Sequence, residues 1–135
     1  MAIKILIADD HALIRKVLRR HLEVEPDFNV AGEAVNGRDA VKQAEALLPD
    51  VVLMDISMPE LDGIEATRLI CQGLPQVKVL ILSIFNSSEY CNLAMSSGAR
   101  GYLLKESASE EVVAAIRTVM GGGRYLGSGM AESGA

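Results

Sequence analysis

Along the chain, short unbroken apolar runs alternate with stretches in which hydrophobic residues recur every third or fourth position. The clearest run is Val51-Val52-Leu53-Met54, which ends at Asp55. A continuous run of this length predicts a strand covered on both faces, as in a parallel sheet. Ile3 to Ala8, Val77 to Leu82 and Gly101 to Leu104 predict further strands of that kind, and Phe28 to Ala34 a weaker, partly polar one nearer an edge. Between them the period changes. Leu13, Ile14, Val17, Leu18 and Leu22 form one helical stripe, with Arg15, Lys16, Arg19 and Arg20 off it. Val41, Ala44, Leu47 and Leu48 predict the inner face of a second helix over 39–48. Further helices are predicted from about Ile64 to Gln72, from Asn86 to Ser97, and over the stripe Val112, Val113, Ile116, Val119, Met120. Ser107 or Ser109 is the expected cap of the last helix, with Glu110 and Glu111 in its first turn. Strand and helix alternate five times, with turn formers such as Asn36-Gly37 and Asp62-Gly63 between them. This argues for an α/β fold with a doubly wound parallel sheet and right-handed crossovers.

Every notable polar group then falls just after a predicted strand: Asp9 and Asp10, Asp55, Ser83 and Lys105. With strand order 2-1-3-4-5, strands one and three are neighbours and a crevice opens at their carboxyl ends. The three aspartates converge there. Such carboxylates either take up protons or recruit a cation, and hard oxygen donors suit Mg²⁺. One carboxylate is left to act as a nucleophile. Lys105 offers a point charge for a phosphoryl group and Ser83 a hydroxyl. Taken singly, an Asp-Asp pair is usually a cap, a lysine is usually solvated and a serine usually starts a turn. Five such groups on one sheet edge make the bland explanation a poor one.

Composition narrows the classes. The chain has 135 residues, 50% hydrophobic, with 18 acids against 13 bases and a net charge of −5. That is one domain by length. The acidic balance disfavours direct nucleic-acid binding. Cys71 and Cys91 fall in helical segments and provide no disulfide or metal framework. His11 and His21 have no evident ligand company. No apolar run approaches the roughly 18 residues of a membrane span, and the N-terminus does not resemble a signal peptide. A soluble, cytoplasmic protein without a membrane partner is expected.

The set Asp9-Asp10, Met54-Asp55, Met58-Pro59-x-x-Asp62-Gly63, Ser83 and Gly101-Tyr102-x-x-Lys105 closely resembles the receiver domain of two-component response regulators, over about residues 3 to 120. The resemblance implies a flavodoxin-like (βα)5 fold. It also implies that Asp55 accepts phosphate from a histidine kinase, and that Asp10, Asp55 and the Ser57 backbone carbonyl hold Mg²⁺, with Asp9 acting through water. Lys105 pairs with the phosphoryl group, Ser83 is the switch hydroxyl, and Tyr102 is the aromatic that turns inward when Ser83 moves. The face of helix four, strand five and helix five is the expected output. Such a protein is no enzyme beyond catalysing its own phosphorylation and dephosphorylation.

Ala99 to Lys105, Ala115-Ile116-Arg117 and Arg124-Tyr125-Leu126 are similar to the subfamily that carries a nitrate-response-type, LuxR-like helix-turn-helix domain. The expected division is a receiver over 1–120 and a linker or frayed tail over 121–135, with that output domain absent from this chain. DNA is then met only through the missing domain, and a homodimer on phosphorylation is expected. A stand-alone regulator is the alternative. A haloacid-dehalogenase-like phosphatase needs an acid where Ser57 stands, a flavodoxin-like cofactor binder needs a phosphate loop where Asp9-Asp10 stand, and the complete acidic set argues against a degenerate receiver. Glu106 replaces the proline that follows the lysine in many receivers. Ile84 and Phe85 are bulkier or less polar than their usual counterparts. Phe85 either shields the site from water or packs on a neighbouring helix. Arg15, Lys16, Arg19 and Arg20 either meet a kinase or form a solvated face.

Overall fold

A computed structural model describes residues 2–127. The order is β1 (Ile3–Ala8), α1 (Ala12–Glu23), β2 (Phe28–Ala34), α2 (Gly37–Leu47), β3 (Val51–Asp55), α3 (Gly63–Gly73), β4 (Lys78–Ser83), α4 (Ser88–Ser96), β5 (Gly101–Leu104), α5 (Lys105–Met120) and β6 (Tyr125–Leu126). The strands form one parallel sheet in the order β2-β1-β3-β4-β5-β6. The expected order holds, β2 is the edge strand, and β6 is added beyond β5.

Alternation along each strand divides the core between the two faces of the sheet. Leu6, Ala8, Val52, Met54, Val79, Ile81, Tyr102 and Leu104 pack with α2, α3 and α4. Ile5, Ile7, Val51, Leu53, Leu80, Leu82 and Leu103 pack with α1 and α5. Because both faces are covered, the central strands read as unbroken apolar runs. Among the helices, Asn36 caps α2 by accepting from the Asp39 amide at 2.7 Å, and Asp62 caps α3 by accepting from the Glu65 amide at 2.9 Å. Ser87 caps α4 in the same way. Cys71 is half-buried and Cys91 is buried.

The structure corrects several expectations. Residues 124–127 were expected to be linker, yet Tyr125 and Leu126 pair with Gly101 and Tyr102, and the Gly127 amide donates to the Tyr102 carbonyl at 2.8 Å. The rest of the expected tail, 128–135, lies outside the described residues. α5 starts at Lys105, with Leu104 as N-cap and no side-chain cap, so neither Ser107 nor Ser109 caps it and Glu106 is the acid of its first turn. The strand runs straight into the helix. Leu13 and Leu48 were expected to point inward but are exposed, Leu13 lying at the start of α1 and Leu48 at the left-handed C-cap of α2. Among the described residues no peptide bond is cis, and no helix is long and apolar enough to cross a membrane.

Candidate functional site

The carboxyl ends of β1, β3, β4 and β5 bring Asp9, Asp55, Ser83 and Lys105 to one rim. Asp9, Asp55 and Ser83 are buried, and Lys105 is nearly so. Lys105 Nζ lies 2.9 Å from Asp9 Oδ2 and 3.1 Å from Asp55 Oδ2. The Lys105 ammonium is the group that faces both of these buried oxygens, which have no other donor among the described residues. Burial first, and then the charge of Asp9, push the Asp55 carboxyl up from 3.8 to about 6, although Lys105 opposes the change. Burial alone would depress the Lys105 ammonium, but Asp9 and Asp55 together hold it above its usual range.

The loop between β3 and α3 is fixed by backbone contacts. The Gly63 amide donates to the Ile56 carbonyl at 2.8 Å, and the Ile56 amide to the Leu82 carbonyl at 3.3 Å. Gly63 passes directly beneath the end of β3, where a Cβ would lie 2.0 Å from the Asp55 carbonyl oxygen. Only glycine permits that approach. The Ser57 amide donates to Asp55 Oδ1 at 3.3 Å, and Ser57 itself is exposed. Asp10 faces outward at the mouth of the pocket, beside an open groove of about 540 Å³ that Ser57, Met58, Phe85 and Tyr90 help to line.

His11 belongs to this pocket, which the sequence did not suggest. Its amide donates to Asp9 Oδ1 at 2.8 Å, and its ring Nδ1 lies 2.9 Å from that oxygen and 3.0 Å from Asp10 Oδ1. Ligand atoms of Asp9, Asp10, His11 and Asp55 all lie within 4.8 Å of one another. Three clustered aspartates faced by the single Lys105 ammonium leave an excess of negative charge, which fits a divalent cation that would neutralise it.

Ser83 Oγ accepts from the Phe85 amide at 2.9 Å, and the Tyr102 hydroxyl donates to the Phe85 carbonyl at 2.7 Å. Tyr102 is therefore already inside and fully buried, rather than waiting to turn inward. Phe85 stacks on Tyr90 of α4 at 4.6 Å between centroids, which is the helix-packing alternative. Ile84 is exposed. The basic face of α1 is partly committed: Arg15 and Arg19 both bind Glu33 of β2, and Arg15 Nη1 also donates to the Asp9 carbonyl at 2.7 Å. Lys16 and Arg20 remain exposed.

Comparison with known proteins agrees with this geometry. The family model of the response regulator receiver domain matches residues 5–117. The transcriptional regulatory protein DegU of Brevibacillus brevis is 44% identical over 124 residues, covering 92% of this chain and 52% of its own length. The response regulator UvrY of Escherichia coli K12 is 45% identical over 130 residues, covering 96% and 60%. The chain thus spans between about half and three fifths of these relatives. Among solved structures, a LuxR-family two-component response regulator from Aurantimonas sp. SI85-9A1 superposes with a TM-score of 0.88 at 34% identity, covering 93% of this chain and 89% of that one. The receiver domain of a putative NarL from Mycobacterium tuberculosis gives 0.85 at 33%, covering 90% and 98%.

Proposed function

This chain belongs to the response regulator receiver domains of two-component systems, and from that premise we propose that it is a switch driven by phosphorylation of Asp55. The observation that carries the reading is the buried Asp55 carboxylate at the end of β3, with Asp9 beside it and Lys105 Nζ 3.1 Å from its Oδ2. An Asp55 oxygen attacks the phosphorus of a kinase phosphohistidine. The O–P bond forms as the N–P bond breaks, and the electron pair returns to the imidazole. Asp10, Asp55 and the Ser57 carbonyl, with Asp9 beside them, would hold Mg²⁺, which would supply charge neutralisation in the pocket. Lys105 exchanges its contact with Asp55 Oδ2 for one with the phosphoryl oxygens.

The modification adds about −1.5 to −2 charges. Ser83 Oγ, the nearest hydroxyl on β4, is drawn toward them and releases the Phe85 amide. That movement changes the loop after β4 and hence the face of α4, β5 and α5, a two-state element biased by a few kcal/mol. The chain acts on nothing except its own phosphorylation and dephosphorylation. Its partner is a sensor histidine kinase. By likeness to the transcriptional regulatory protein DegU, its output is transcriptional control, through the helix-turn-helix domain that the sequence resemblance implies, with a homodimer forming on phosphorylation. Incubation with Mg²⁺ and acetyl phosphate, followed by intact mass, tests the reading. One phosphoryl adduct is expected on wild type and none on Asp55→Asn. An adduct that persists in the variant overturns it.

A further inference from the structure

β6 runs along the outer edge of β5, with Tyr125 opposite Gly101 and Leu126 opposite Tyr102. The Tyr125 amide donates to the Arg100 carbonyl at 3.0 Å, and the Gly127 amide to the Tyr102 carbonyl at 2.8 Å. As register partners, Leu126 and Tyr102 leave the sheet on the same face, and both belong to the cluster packed with α2, α3 and α4. Tyr125 goes to the other face, where its hydroxyl donates to Glu111 Oε1 of α5 at 2.9 Å. Glycine makes the close approach possible, since a Cβ at Gly101 would lie 2.7 Å from the Tyr125 carbonyl oxygen. Tyr102 is also held at its far end. Its hydroxyl donates to the Phe85 carbonyl at 2.7 Å, and the Phe85 amide donates to Ser83 Oγ at 2.9 Å. One residue is thus gripped by the loop after β4 through its ring, and by β6 through its main chain and its neighbour Leu126.

We infer that β6 is a strap whose docking on β5 opposes phosphorylation of Asp55, and which phosphorylation in turn loosens. The inference rests on the proposed reading of Asp55 and Ser83. When Ser83 Oγ moves to the phosphoryl oxygens and releases the Phe85 amide, the loop after β4 shifts and the Tyr102 hydroxyl loses its acceptor. The ring then leaves the position against which Leu126 packs. A strand of two residues has little else to hold it, so it belongs to the weakly held end of the structure. The coupling is reciprocal: the factor by which phosphorylation weakens strap docking is the factor by which a docked strap weakens binding at the phosphorylation site. The state of Asp55 is thereby passed to the backbone on the C-terminal side of α5.

The test uses the full chain, with beryllofluoride and Mg²⁺ as the phosphoryl mimic. Amide hydrogen exchange is followed by NMR, and beryllofluoride affinity by fluorine NMR titration. In wild type the mimic should speed exchange at the Tyr125 and Gly127 amides at least tenfold, without speeding the amides of β1. Gly127→Pro removes the donor to the Tyr102 carbonyl and should bind the mimic at least threefold more tightly than wild type. Leu126→Ala, a milder change that leaves the backbone intact, should shift affinity in the same direction. Val30→Ala trims the core on β2 at the opposite edge of the sheet and should stay within twofold of wild type. The inference is overturned if the two strap amides do not respond or become better protected. It is equally overturned if neither strap variant binds more tightly, or if Val30→Ala gains as much as they do. Those results leave the proposed function standing as long as wild type takes the mimic and Asp55→Asn does not. Failure of wild type to take it removes the phosphorylation site itself, and the inference with it.

Discussion

Replacing Asp55 by asparagine should stabilise the protein at neutral pH in the absence of divalent cations. The native carboxyl titrates near 6 instead of 3.8, because it is buried beside Asp9. At about 1.4 kcal/mol per pH unit, keeping it ionised at pH 7.5 costs the native state about 3 kcal/mol. The sign follows from proton counting. Between pH 3.8 and about 6 the native state binds more protons than the unfolded chain, so its stability falls as pH rises through that window. Below the window both states are protonated and the cost vanishes. Asparagine keeps the shape and removes the charge. In urea denaturation with EDTA, Asp55→Asn should exceed wild type by up to about 3 kcal/mol at pH 7.5, with the gap closing toward pH 4. An equal or less stable variant at pH 7.5, or a gap that does not change with pH, would refute the reasoning.

Other consequences are open to direct measurement. At a hundredfold excess over its Kd, Mg²⁺ should raise wild-type stability by about 2.7 kcal/mol, and Asp55→Asn by clearly less, in the same urea assay. Gly63→Ala drives a Cβ into the Asp55 carbonyl and should cost about 3 kcal/mol or more, with weakened Mg²⁺ binding by calorimetry. Tyr102→Phe leaves the Phe85 carbonyl without its donor and should cost about 1 to 2 kcal/mol in urea. Gly101→Ala sets a Cβ 2.4 Å from Leu80 Cδ2 and 2.7 Å from the Tyr125 carbonyl, so hydrogen exchange at the Tyr125 and Gly127 amides should accelerate.

Periodicity made the sheet readable because parallel strands covered on both faces cannot hide their apolar runs. The strand ends followed from the runs, and with them the meeting of Asp9, Asp55, Ser83 and Lys105. Interactions set by backbone direction were harder to read. His11 carries no signal until the turn after Asp9 folds its ring back onto the two aspartates. Glu33, which claims Arg15 and Arg19, is far from them in sequence and meets them only because β2 lies beside α1. Tyr125-Leu126 is too short for any period to register, and the glycines around it look like linker. Lys105 is legible as a site residue but not as the first residue of α5, because that helix follows Leu104 without any side-chain cap to mark it. The interior position of Tyr102 depends on the Phe85 carbonyl, a main-chain group that one-letter codes do not show.

Lys105 opens α5 without any intervening loop. The ammonium that touches Asp9 and Asp55 is thus bolted to the first turn of a long, stiff rod whose far end carries Val119 in the core. Any tug on that lysine is delivered to the rod at its root, with no slack in between to absorb it.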